Sequence, residues 1–389
     1  MDIKAILMVG GSTSGQEESI GGVSIAYLDV LGMPVIQRVF QRLERFGVSG
    51  ATIISQVPGE AEPFARRARL HAGLTWKQAP EGQFWQTAEN VFSEYVEGGA
   101  ELVIAVRVGP YVELDYEEMI QHHLDHRCPV TMAVDADGVS LDIFLVSASR
   151  RNDAASLFRS ELKKLRTECQ SFRVSGYSNR LKTAADLRCL AVDGLLLKNS
   201  ISPQGTEIRP GVWVAKSARV HRKARIVAPA FIGVYSKIRA AALITRGTVV
   251  EHHAEIDCGT VVENSTVLPY TYVGAGLDVM HSVVGFHRLS HLVRNVEVEI
   301  SDRKLVGMPA VGVLSRLAGS TAALFAFLPK EIYRGFFAPS HRRSAADAPE
   351  CSQQQAAAVN APVTEAQGSG PEASEFPSTL AVARRYGEQ

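Results

Sequence analysis

The sequence predicts an α/β domain over residues 1–200 followed by a parallel β-helix over residues 201–308, and three observations carry that expectation. Buried-strand runs alternate with helix-periodic segments through the first half. An apolar residue then recurs at every sixth position for eleven repeats, and beyond residue 343 apolar and aromatic content collapses. At 389 residues, 46% hydrophobic and 21% charged, the chain is long and apolar enough for two domains with appendages. Wholesale disorder, collagen and a small disulfide scaffold are excluded.

The first element is the apolar run 3–9 (IKAILMV), closed by Gly10-Gly11. It lacks a basic n-region, a long apolar h-region and a cleavage box, so it reads as a buried strand rather than a signal peptide. Residues 35–46 (VIQRVFQRLERF) repeat apolar side chains at helical spacing and stop at Gly47. A strand is expected at 51–54, helical stretches at 60–72 and 86–97, and a buried strand at 102–106. Residues 115–126 read as a helix, 130–134 and 141–146 as strands, and 153–168 as a further helix. The alternation implies a mostly parallel sheet with helices on both faces.

In the second half the sixth-position residues are Ile208, Val214, Val220, Ile226, Ile232, Ile238, Ile244, Val250, Ile256, Val262 and Leu268. Two residues before each stands a small side chain, from Thr206 through Ala218, Ala224, Ala230, Ser236, Ala242, Thr248, Ala254 and Thr260 to Thr266, with Val212 the exception. Both positions are expected to point inward, because a narrow β-helix turns tight corners that leave little room inside. The pattern matches the hexapeptide repeats of left-handed β-helices, where three hexapeptides make one coil and positions 18 apart stack. Arg219, Lys237 and Glu255 would form one ladder and His221, Arg239 and Asp257 another. Regularity is expected to fail after Leu268, where Val273-Gly274 shifts the phase.

Residues 309–340 form an apolar segment; within it, 310–329 carry one charge, Arg316, with two glycines and several hydroxyls. An Arg at mid-bilayer costs about 2.5–3.5 kcal/mol on insertion scales, so a helix covering the open β-helix or packing on a second subunit is favoured over a span. Contact of 310–337 with a membrane surface is the alternative. Residues 341–389 are rich in Ala, Ser, Pro, Gln and Glu and are expected to be disordered.

Equal numbers of basic and acidic side chains, 41 of each, hide an uneven distribution. Residues 1–149 carry 10 basic and 20 acidic groups, residues 150–246 carry 20 and 6, and the remainder 11 and 15. The basic middle suits nucleic acid, phosphorylated ligands or an anionic membrane, but facing the chain's own acidic N-terminal domain is the favoured reading. The five cysteines, Cys128, Cys169, Cys189, Cys258 and Cys351, contain no C-x-x-C pair. A cytoplasmic location fits that pattern best.

Several segments together resemble the sugar-1-phosphate nucleotidyltransferases, the nucleotide-sugar pyrophosphorylases of the mannose-1-phosphate guanylyltransferase type. KAILMVGGSTSGQEE stands where that family reads K-A-[IV]-[IL]-L-A-G-G-x-G-T-R-L, and SIAYLDVLGMPVIQRVF where it reads P-K-P-[LM]-L-P-V-x-G-K-P. Gly10, Gly11, Val30, Gly32 and Pro34 match, as do Leu181 and Thr183–Leu187 of GYSNRLKTAADL against W-x-D-I-G-T-P-x-D-[LY]. LPYTYVGAGLDVMHSVVG is close to the family's last coils. The resemblance covers residues 1–308. It implies a Rossmann-like nucleotidyltransferase domain before the β-helix, and a role in nucleotide-sugar supply for polysaccharide or glycoconjugate precursors.

The family's working residues are missing. Nucleotidyl transfer needs cations on the triphosphate and Mg²⁺ held by two aspartates. The glycine-loop Arg has no counterpart in Ser12–Gln16, and the loop Lys falls on Ile25. The first metal Asp lands near Gly109, with no aspartate anywhere between Asp29 and Asp115, and the second falls on Arg180. The expectation is therefore lost or weakened catalysis with no resident metal, Mg²⁺ being needed only if activity survives. A binding, regulatory or scaffolding role remains, as a homo-oligomer or beside an active relative, without nucleic acid. Gly10 and Gly11 would offer backbone N–H groups to a nucleotide phosphate, or simply serve the turn, and Arg107 or Arg180 would contact an anion directly.

Two further constellations carry possible chemistry. Many hexapeptide-repeat proteins are trimeric acyltransferases with a histidine base, and His252, His253, His281, His287 and His291 lie on or near the coils. No long acyl-donor loop interrupts residues 208–268, so surface histidines are the favoured reading. His122 and His126 share a helical face beside His123 and Asp125, but no third or fourth metal ligand is evident. A purely structural, oligomerising protein is the third alternative.

Overall fold

The computed structural model describes residues 1–10, 19–21, 23–56, 73–148, 158, 170–285 and 287–309. All of them fall in one compact unit, Met1–Phe336, while a second unit, Phe337–Gln389, lies wholly outside the described residues. The expected helices at 60–72 and 153–168, apart from Phe158, the apolar segment at 310–329 and the tail also lie outside them.

The first part is a mixed α/β sheet. Its elements are β1 (Ile3–Val9), α1 (Val35–Phe46), β2 (Gly50–Ser55), β3 (Leu74–Gln78), α2 (Phe84–Glu97), β4 (Leu102–Arg107), α3 (Tyr116–His126), β5 (Val130–Val134), β6 (Ser140–Ser147), β7 (Gln170–Arg173) and α4 (Ala184–Leu195). The strands lie in the order β7-β5-β6-β4-β1-β2-β3. All neighbours are parallel except β6, which runs against both β4 and β5. β3, β7 and α4 were not anticipated: LTWKQ and QSFR are short, and α4 has only a weakly one-sided apolar pattern.

Alternation along each strand builds two cores. Ala5, Leu7, Ile53, Ile104 and Ile143 lie in the core that also holds Val35, Ile36 and Leu43 of α1, whereas Ile6, Met8, Ile54, Val103 and Phe144 lie in the one with Phe84, Phe92 and Phe158. The helices begin and end where local chemistry requires. Asp115 accepts the N–H groups of Glu117 and Glu118 at the start of α3. Thr183 and Asp186 form a reciprocal capping box at the start of α4. Gly47, at φ 98°, ends α1.

The second part is a C-terminal region of many short parallel strands in three stacks. Arg219↔Lys237↔Glu255, Ala230↔Thr248 and Leu243↔Val261 pair in parallel at a separation of 18 residues, as the hexad pattern requires. Ile226, Ile232, Ile238, Ile244, Val250, Ile256 and Val262 line the interior, with the small residues Ala230, Ser236, Ala242, Thr248, Ala254 and Thr260 buried between them. Turning the chain between stacks places Tyr235, Ala241, Arg246, His253 and Asn264 at positive φ.

Three expectations about this region need correction. The phase slips before Leu268 rather than after it: Val250 pairs with Val267, Ser265 takes the small slot, and Leu268 turns outward onto the α/β core. Ile208 and Val220 are 54% and 39% exposed, because among the described residues no coil lies beneath the first one. Arg239 leaves its own ladder and bonds Glu255 at 2.8 Å, while Asp257 accepts the Tyr272 hydroxyl at 2.5 Å. At the far end Val306-Gly307 pairs antiparallel with Tyr272-Val273, so described residues already cover that edge without the apolar segment.

The two parts share one core. On the side formed by the strands at 230–232, 248–250 and 282–285, Phe231, Val249 and Val283 point out of the stack and pack with Leu31, Leu187, Leu190 and Leu195. Arg188 of α4, itself buried, reaches into the stack and donates to Asn264 Oδ1 at 2.9 Å and to Ser265 O and Thr266 Oγ1 at 3.3 Å. Among the described residues no helix is long and apolar enough to cross a membrane.

Candidate functional site

In open, mostly parallel α/β sheets a crevice lies beyond the carboxyl ends of the strands, where neighbouring strand order reverses. Here that point falls between β1 and β4. β1 runs into Gly10, whose φ of 102° only glycine adopts without strain, and where an added Cβ would sit 3.2 Å from Gln56 Oε1. Gly10 is the last described residue after β1, and Gly11 and Ser12–Gln16 lie outside the described residues. Ile25, where the resemblance puts the loop lysine, is buried in a short 3₁₀ turn and carries no charge to the edge.

The groups at this edge are two arginine–carboxylate pairs. Arg107, the last residue of β4, grips Asp142 Oδ2 through Nε at 3.2 Å and Nη2 at 2.7 Å. Asp142 lies where the β5–β6 register is irregular, and holds φ at 58°, a left-handed conformation uncommon for a non-glycine residue. Arg180 donates through Nε to Asp135 Oδ2 at 3.0 Å, also contacts it through Nη2, and lies 3.5 Å from Asp137. The other Asp135 oxygen accepts the N–H groups of Asp137 and Val139, both at 2.9 Å. The Arg180 guanidinium, followed by those N–H groups, holds the Asp135 carboxyl below its usual range, and Asp135 in turn raises Arg180.

This donor set does not fit Mg²⁺. The Asp135 carboxylate is already neutralised by a guanidinium and two backbone N–H groups, and a cation occupies the position that the resemblance gives to a metal ligand. Among the described residues no group of three or more His, Cys, Asp or Glu side chains is arranged for a metal. What the edge offers is cationic: the Arg107 and Arg180 side chains are 31% and 39% exposed, and each keeps N–H donors that its carboxylate does not use.

A second charged cluster lies where the α/β part meets the strand stack. Asp29-Val30 and Met33-Pro34 pair as a tight hairpin whose two turn residues, Leu31 and Gly32, have φ of 53° and 86°. Their N–H groups donate to Glu251 at 2.7 and 2.8 Å. A Cβ on Gly32 would come within 3.0 Å of Phe231. Burial, then the nearby Asp29 carboxylate, pushes Glu251 up to about 8. Asp29 is itself buried and bonds His252 Nδ1. Arg38 donates to Val30 O at 2.5 Å, its Nε has no partner, and burial lowers its pKa.

The expected surface histidines therefore divide. His252 is tied to Asp29 at the junction, and His253 stacks on Tyr270 with ring centroids 4.8 Å apart. His123 bonds both Thr131 and Ser147, and burial, then His122, pushes it down to about 4. His122 and His126 do share a face, with rings 4.1 Å apart, but among the described residues no third His, Cys, Asp or Glu is arranged with them to hold a metal. Sequence reasoning missed Asp29, Asp135, Asp142 and Glu251, since each acts through a residue 35 to 223 positions away.

Among the described residues, the basic middle of the chain meets the acidic domain only in part. Arg180 does so through Asp135 and Asp137, whereas Lys237 and Arg239 pair with Glu255, and Arg246 with Glu263, inside the stack. No protein-family model matches the chain. No curated protein matches it either.

Proposed function

We propose that this chain is a nucleotidyltransferase-like protein, a Rossmann-like α/β domain followed by a left-handed β-helix. Its sheet edge binds a nucleotide or nucleotide sugar through arginines and does not carry out Mg²⁺-dependent transfer. The observation that carries the reading is the pair of exposed guanidiniums, Arg107 on Asp142 and Arg180 on Asp135, at the carboxyl edge. Diphosphate oxygens suit such donors, because a guanidinium recognises them in a planar fork without a metal. Support for the architecture comes from the parallel order β3-β2-β1-β4 and from the 18-residue register of the strand stacks.

The test has two arms. Purified protein is assayed for pyrophosphate release with Mg²⁺, nucleoside triphosphates, and mannose- or glucose-1-phosphate. Nucleotide-sugar binding is measured by calorimetry in chelator. Binding without turnover, weakened by Arg107→Ala and Arg180→Ala, is the expected result. Turnover at about 1 per second or faster would overturn the loss of catalysis. Absence of both binding and turnover would leave a purely structural, oligomerising role.

A further inference from the structure

Residues 208–250 contain nine Lys and Arg and no Asp or Glu. Three of them, Lys237, Arg239 and Arg246, are paired with two carboxylates of later coils, Glu255 and Glu263. The other six, Arg209, Lys216, Arg219, Arg222, Lys223 and Arg225, are all exposed and form no ion pair with a described residue. They sit on the first coil, whose strands Arg219-Val220 and Arg225-Ile226 are each outermost in their sheets. The one acidic group beside them, Glu207, accepts the Gly211 N–H at 2.7 Å.

Aliphatic surface is exposed among these cations. Ile208, Val220 and Val227 are 54%, 39% and 37% exposed, and a shallow hollow of about 400 Å³ opens between Arg209, Val212, Arg225 and Val227. Charges on an open edge prevent strand addition, but that purpose is served by either sign, and by one or two residues. Six unpaired cations of one sign exceed it. Head-to-head stacking of a second copy would set these cations against their own kind, so the coil does not suit itself as a partner. Single-stranded nucleic acid needs free exposed rings to stack on; among the described residues near this coil Trp213 is half-buried and Phe231 buried, both packed on the α/β core, and the exposed Tyr235 one coil above already packs on the His253 ring at 5.0 Å.

We propose that the open first coil docks on an anionic lipid surface. Lys216, Arg219, Arg222, Lys223 and Arg225 extend to headgroup phosphates on their flexible stems, while Val220 and Val227 rest at the acyl boundary. The docking is independent of the sheet edge and of the nucleotide it is proposed to bind.

Full-length protein is sedimented with phosphatidylcholine vesicles with and without phosphatidylserine, at low and high salt. Two triple variants are compared with it: Arg219→Glu/Arg222→Glu/Lys223→Glu on the coil, and Arg173→Glu/Arg294→Glu/Arg303→Glu as an equal change of charge elsewhere. Partition onto phosphatidylserine vesicles is expected to fall about a hundredfold or more in the coil variant and to change little in the control. It should also weaken with salt. Equal losses in the two variants, or binding that ignores phosphatidylserine, would overturn the proposal. So would tighter binding to duplex DNA at matched phosphate concentration. Thermal melting of each variant verifies the fold, and the neutral triple Lys216→Ala/Arg222→Ala/Lys223→Ala replaces any that fails to fold.

Discussion

The carboxyl edge of the sheet and the junction with the strand stack hold the same kinds of group in opposite surroundings. At the edge, Arg107 and Arg180 meet aspartates with roughly a third of each arginine side chain open to solvent. At the junction, Asp29, Arg38 and Glu251 are all buried, and Glu251 is spent on two backbone N–H groups. An ion pair in water is worth little to stability but leaves its donors available. A buried, hydrogen-bonded group is bound to the fold, because removing it strands its partners without water. On the reading proposed above, the edge is where a ligand would exchange for a carboxylate; the junction is where the two parts are locked together.

The sharpest way to break this contrast is at Glu251. Glu251→Ala would leave the Leu31 and Gly32 N–H groups buried without acceptors, and should cost about 3 kcal/mol, read as a large drop in melting temperature. Arg107→Ala should barely move that temperature, and comparable drops in the two variants would erase the distinction.

A pH profile gives the next largest effect. Glu251, raised from 4.5 to about 8, keeps a proton in the folded chain that the unfolded chain releases. Its contribution is complete below the unfolded pKa and is lost as pH rises toward and through about 8. His123, lowered from 6.5 to about 4, acts in the other direction: the unfolded chain takes up a proton that the folded chain refuses, so stability falls as pH drops through that window. Melting temperature should therefore fall on both sides of a mildly acidic maximum. Glu251→Gln should flatten the alkaline limb, and a profile unchanged by it would remove Glu251 from the account.

Asp142→Gly sharpens the comparison from the edge. Glycine adopts the left-handed conformation of Asp142 freely, so the variant should gain about 1 kcal/mol in stability while releasing Arg107 from its carboxylate. Chemical denaturation reads the first effect, and calorimetry with a nucleotide sugar reads the second. The smallest effect on stability is expected from Arg180→Ala. Its melting temperature should remain near that of the parent protein, with the change confined to ligand affinity.

Much of the molecule follows from periodicity alone. The run 3–9 is β1 itself, residues 130–134 are β5 itself, and the interior from Ile226 to Val262 is the hexad pattern read directly. The docking side of the stack also had a signal that went unused: Trp213, Phe231 and Val249, 18 residues apart, are apolar where Arg219, Lys237 and Glu255 occupy the same place on another side. The slip before Val267 was not legible, because Thr266 and Leu268 continue the six-residue pattern by type while only Ser265 and Val267 face inward.

The sequence by itself determined β1, α1, β2, α2, β4, α3, β5 and β6 and the six-residue repeat, since each depends on residue type at short spacing. Only the tertiary structure decided that Arg180 meets Asp135, that Asp142 turns to hold Arg107, and that Glu251 receives the Leu31–Gly32 turn. Such pairings rest on long-range chain closure and on desolvation, which act only once distant segments share one surface.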